Sequence, residues 1–262
     1  MKDALTKVFK SFTGGVTEIT AFSGWHIMYI VLIVGLTIGA AFMLKNKADK
    51  TKNRTLNILA YLVIGSYILD FFLMPFSEGK INIDKLPFHI CTLVGVFIPF
   101  AQFNKKFKPI KDVVACLAIV ASLMYVTYPG SALGGVSAFS YKVIQTFVFH
   151  GLVFAWGVLT VTTKAVNLSF KKIWKEAVAI VVIAAWATVG NICYNTSYTG
   201  ADGLSHFDWF FLTGSSFGLS PWLMPFLTML AIFAMCAIIM LIDFVTKKII
   251  AKRKEKGNSI KF

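Results

Sequence analysis

Seven apolar runs, at about residues 25–44, 56–76, 86–103, 113–128, 142–163, 173–194 and 221–246, divide the chain, with short polar stretches between them. A helix crossing a hydrocarbon core about 30 Å thick needs roughly 20 residues, so each run predicts one crossing. The fold class is therefore all-α, a polytopic membrane helix bundle of about seven transmembrane helices. The fourth run is short for a span. Ahead of the first, Leu5, Val8, Phe9 and Phe12 recur at helical spacing with Lys7 and Lys10 between them. That pattern predicts an interfacial amphipathic segment over 1–24, followed by the bundle over 25–246 and a basic tail over 247–262. The first run starts late, is long and has no small-residue cleavage pattern behind it, which disfavours a signal peptide.

Composition agrees with this picture. Hydrophobic residues make up 57% of the 262 and charged ones 15%, with a mean hydropathy of +0.72; an ordinary soluble domain is roughly a quarter charged. A formal charge of +14 would suit nucleic acid only if the basic residues shared one solvated face, and here they sit in clusters between apolar runs. Those clusters predict orientation instead. Alternate segments carry 5, 4, 4 and 7 Lys or Arg in one set and 3, 2, 1 and none in the other, 20 against 6. The positive-inside rule then places the N-terminus outside and the C-terminus in the cytoplasm. Only Arg54 and Arg253 are arginines among the 26 basic residues, a bias that fits an AT-rich bacterial genome and a multi-pass protein of the bacterial plasma membrane. Cys91, Cys116, Cys193 and Cys236 form no CxxC pair and lie in or beside apolar runs, which argues against a disulfide framework or a metal site. No cofactor is expected, and the partners expected are membrane lipids.

Two outer loops are more than connectors. Tyr128 to Tyr141 carries Pro129, Gly130, Gly134, Gly135 and no charge, and 195–220 carries no Lys or Arg but holds His206, Asp208 and Trp209. Interfacial packing of aromatics and a lid over an outer pocket are both open for these stretches.

Ionisable groups inside a span cost of order 2.5–3.5 kcal/mol, so each is a candidate for function. Asp70 lies six residues before Phe76, roughly 9 Å inside the outer end of the second helix. His89 and Cys91 open the third helix, His150 lies roughly 12 Å into the fifth, Asn191 and Tyr194 close the sixth, and His26 opens the first. With the orientation above, all fall in the outer half and nothing comparable lines the inner half. That predicts a polar cavity open to the outer leaflet rather than a pore. Each has a plainer reading too: His26 and Asn191 as anchors or helix caps, Asp70 as half of a structural ion pair, Cys91 as a small core residue. On a continuous helix, His89 and Cys91 point about 200° apart, so a base for Cys91 has to come from another helix, and His150 is at similar depth. A Cys91–His150 pair oriented by Asp70 has the parts for acyl transfer through a thioester. The rival is a small-molecule binding or transport subunit without catalysis, although no inverted repeat is evident.

Leu86-Pro87-Phe88-His89-Ile90-Cys91 resembles the LPxHxC signature of the YwaF-type bacterial integral membrane family, which is related to the animal transmembrane protein 164. Trp25-His26, His150-Gly151, Asn191 and Pro221-Trp222 stand where that family shows His, HG, Asn and Pro-Trp. Asp70 departs from it, standing where the family often has Glu. The resemblance implies a multi-span fold and, from the animal relative, a cysteine-centred phospholipid acyltransferase with Cys91 as nucleophile. Activated by His150, Cys91 would take an acyl chain from one phospholipid and pass it to a lysolipid hydroxyl. His89 or Asn191 would stabilise the oxyanion, with His26 and Tyr194 nearby.

Overall fold

The computed structural model describes residues 18–78, 85–128, 136–197, 209–211 and 223–259. The interfacial segment expected before residue 18, most of both outer loops, His206, Asp208 and Pro221-Trp222 lie outside these residues. Among those described, the protein is all-helical. Seven α-helices follow in order: α1 Gly24–Leu44, α2 Asp49–Glu78, α3 Ile90–Phe103, α4 Lys111–Thr127, α5 Tyr141–Thr162, α6 Trp174–Ser197 and α7 Met224–Ser259. Short 3-10 turns stand at Lys105–Ile110, Phe170–Lys172 and Trp209–Phe211.

Six of the helices are long and apolar enough to cross a membrane. The short element is the third, not the fourth. At 14 residues α3 spans about 21 Å, because the chain stays non-helical through Phe88 and His89 and reaches Asn104 after Pro99. The fourth run is extended instead by the turn at Lys105–Ile110, giving an apolar stretch of 23 residues over Lys105–Thr127. The basic tail continues α7 without a break as far as Ser259.

Helices α4 and α5 form the centre. In their spans 61% of residues are buried, against 11% in α1 and 22% in α7. The sequence explains why these two meet. Ala115, Ala118, Ala121 and Ser122 give α4 a smooth face, and Gly157 of α5 presses onto it so closely that a Cβ there would lie 2.9 Å from the Ala115 carbonyl oxygen. Small residues of this kind let helix backbones approach where no aqueous driving force acts between helices. Helices α1 and α2 pack on α5, α3 fills the gap between α2 and α4, and α6 and α7 pair on the other flank of α4. Between α4 and α7 the buried thiols of Cys116 and Cys236 are neighbours. The outward faces are apolar, with Val31, Leu36, Phe42 and Met43 on α1 and Phe226 and Leu230 on α7 all exposed. A bilayer, not water, is the solvent such a surface requires. The chain is a multi-pass membrane protein.

Candidate functional site

The segment from Lys85 to Cys91 is fixed almost residue by residue. The Lys85 carbonyl accepts from the Tyr67 hydroxyl at 2.7 Å, the Leu86 carbonyl from the Phe88 N–H at 2.7 Å, and the Pro87 carbonyl from the Trp186 indole N–H at 2.8 Å. Phe88 stands against Gly190, where a Cβ would come within 2.5 Å of its ring, and it packs on Trp186, Trp209 and Tyr194. The Thr92 hydroxyl donates to the His89 carbonyl at 2.9 Å, closing the first turn of α3.

That geometry changes the relation between His89 and Cys91. His89 has an extended backbone, with φ −77° and ψ 148°, and stands as N-cap of α3, so the opposite-face argument for a continuous helix does not apply to it. The His89 Nδ1 accepts from the Phe210 N–H at 3.5 Å. Cys91 is half-buried in the first turn of α3.

His150 is buried in α5, stacked flat on Tyr125 of α4 at 3.8 Å between ring centroids. Its Nδ1 donates to the Thr146 carbonyl at 2.8 Å, which leaves Nε2 as the unprotonated nitrogen. That atom is buried and has no hydrogen-bond partner among the described residues. No hydrogen bond joins it to Cys91 among those residues. Gly95, one turn after Cys91, abuts the ring of Phe149, the neighbour of His150 in sequence. Lys85 is within electrostatic reach of both Cys91 and His150.

Among the described residues, Asp70 makes no hydrogen bond to Cys91 or His150. It is 1% exposed and pairs with Lys85, Nζ to Oδ2 at 3.0 Å, while the Tyr141 hydroxyl donates to Oδ1 at 3.1 Å. The Lys85 ammonium donates to the Gln145 Oε1 at 3.1 Å. Lys85, Tyr141 and Gln145 are thus members of the polar group that the sequence did not single out. Their signal was weak, since a lysine and a tyrosine at a helix entrance read as interfacial anchors.

His26 and Asn191 are engaged with backbone. In His26, Nδ1 accepts from the Phe22 N–H at 2.9 Å and Nε2 donates to the Val126 carbonyl at 2.7 Å, tying the start of α1 to the end of α4. Asn191 donates to the Trp209 carbonyl at 3.0 Å and accepts from the Trp209 N–H at 2.9 Å. This two-pronged clamp holds the turn in which Phe210 takes the left-handed conformation, φ 63°. Tyr194 meets Trp209 edge to face.

At the opposite end of the bundle, one expectation is corrected. Glu176, in the first turn of α6, is 1% exposed, so Asp70 is not the only buried carboxylate. α6 leans on α4 there and turns Glu176 toward Cys116 and Asp112. No three His, Cys, Asp or Glu residues converge to hold a metal among the described residues.

The family model described as TMEM164 family matches residues 21–246. The chain belongs to the TMEM164 family. The match begins just before α1 and includes every site residue above, from His26 to Trp209. No curated protein and no solved structure matches the chain.

Proposed function

We propose that this member of the TMEM164 family is a cysteine-dependent phospholipid acyltransferase, with Cys91 as nucleophile and His150 as general base. The observation that carries the reading is a buried imidazole whose Nε2 lone pair is kept open by the Nδ1 bond to Thr146, beside a cysteine in the first turn of a rigidly held helix. A purely structural histidine would be expected to use both nitrogens, as His26 does.

In this mechanism the Cys91 thiol gives its proton to His150 Nε2. The sulfur attacks an ester carbonyl of a phospholipid, and the lysolipid oxygen leaves with the proton from His150. A second lysolipid hydroxyl then attacks the thioester, passes its proton to His150 and regenerates the thiol. Lys85, ion-paired with Asp70 and bonded to Gln145, is placed to stabilise the oxyanion in either step. His89 shares that role, since its Nδ1 accepts from Phe210 and its Nε2 therefore carries the ring proton, whereas the Asn191 amide is spent on Trp209.

The test is the lipid profile. Cys91→Ser and His150→Ala should each abolish acyl exchange, with the double variant little worse than either, since members of one catalytic unit are strongly non-additive. Cys116→Ser, Cys193→Ser and Cys236→Ser should retain it. Full complementation of a deletion strain by Cys91→Ser, with unchanged acyl composition, would leave the rival reading, a solute-binding or transport subunit.

A further inference from the structure

At the lysine-rich end of the bundle, remote from Cys91, the ends of α2, α3, α4 and α5 surround an open cavity of about 920 Å³. Six lysines line it, Lys50 and Lys52 from the start of α2, Lys105, Lys108 and Lys111 from the turn that leads into α4, and Lys164 from the segment after α5. Asp49 is the one carboxylate lining it and is already paired with Lys52 at 3.1 Å. Orientation requires basic residues at this end but not their convergence on one concavity, where they repel one another; Lys108 stands close enough to act on Lys111. Lys111 is half-buried, and its ammonium lies 5.9 Å from the centre of the Trp156 ring. A second polar feature is independent of the charge. Gln102 lines the cavity and its Nε2 donates to Asn57 Oδ1 at 2.6 Å and to Asn53 Oδ1 at 3.3 Å, while its Oε1 is buried with no partner among the described residues. Such an acceptor asks for a donor, and the lysines ask for an anion.

We infer that this cavity binds a phosphate ester carrying a free hydroxyl, the chemistry shared by a glycerol-phosphate lipid headgroup and a soluble polyol phosphate. The phosphate neutralises the converging ammonium groups and the hydroxyl donates to Gln102 Oε1. The cavity volume lies in the range of about 300–1,000 Å³ usual for such ligands, and its place at the helix ends is the depth of lipid headgroups. This site is independent of acyl transfer at the other end, and either reading stands if the other fails.

The experiment is native mass spectrometry of the full chain in detergent, incubated with phosphatidylglycerol or phosphatidylcholine, with and without excess glycerol 3-phosphate. Phosphatidylglycerol should be retained over phosphatidylcholine. The Lys105→Gln/Lys108→Gln/Lys111→Gln variant should lose retention by about fivefold per lysine removed, while Lys248→Gln/Lys252→Gln on α7 should keep it. Displacement by glycerol 3-phosphate assigns the site to soluble esters, and lipid retention in its presence assigns it to the headgroup. If circular dichroism shows the triple variant to be unfolded, Lys164→Gln makes the same comparison with a single expected step. Equal retention of the two lipids with no binding of glycerol 3-phosphate, or unchanged phosphatidylglycerol binding in the lysine variants, overturns the inference.

Discussion

Asn191 gives both ends of its amide to the backbone of Trp209, so its removal strands a buried N–H and a buried carbonyl. Each orphan costs about 1–3 kcal/mol. Asn191→Leu should therefore lower the thermal midpoint strongly, and Asn191→Asp, which still accepts from the Trp209 N–H, should lower it less. Equal midpoints for the two would show that the clamp does not hold the turn. Asp70 and Lys85 call for a different comparison. Removing one partner of a buried pair leaves a charge without compensation, which costs more than removing both. Asp70→Asn alone should destabilise more than Asp70→Asn with Lys85→Gln, measured as a double-mutant cycle in detergent unfolding. Additive losses would mean that the 3.0 Å ion pair contributes nothing to the fold.

At the level of elements, the contrast between glycines is informative. Gly157 lies where α5 touches the Ala115 carbonyl of α4, and a side chain there has to displace backbone. Gly35 and Gly39, on the lipid-facing α1, have nothing within 4 Å of where a Cβ would stand. Gly157→Ala should cost about 1–3 kcal/mol by overpacking, whereas Gly39→Ala should be neutral or stabilising by up to about 1 kcal/mol through helix propensity. Thermal unfolding of the two single variants decides the matter; comparable midpoints would remove the α4–α5 contact as the centre of the bundle. The short α3 belongs to this scale too. Its late start at Ile90 is what puts Cys91 in a first turn rather than in mid-helix.

For the whole molecule, orientation is the open quantity that the charge pattern predicts. With 20 basic residues in one set of segments and 6 in the other, a reporter fused after Phe262 should be cytoplasmic, and a cysteine introduced at Gly203 should label from outside intact cells. Labelling of Gly203 only after lysis would reverse the bundle, placing Cys91 at the inner leaflet and the lysine-lined cavity outside.

Helix number, the membrane as solvent and the family were legible in the chain because each rests on local pattern: runs of about 20 apolar residues and a short motif around Cys91. Depth along each helix was also readable, since rise per residue is fixed, and it brought Asp70, Cys91 and His150 to one end. What a side chain faces is not a local property. His26, Asn191 and His150 look alike as isolated polar residues in apolar runs, yet the first two use their polar atoms on the backbone of Phe22, Val126 and Trp209, far away in sequence for the last two, and only His150 keeps a buried nitrogen open. The same holds for Lys85 meeting Asp70 and for Glu176 turning inward. Helix rotation and tilt are set by which small residues let two backbones touch, as at Gly157, and that choice is made by the packed bundle as a whole.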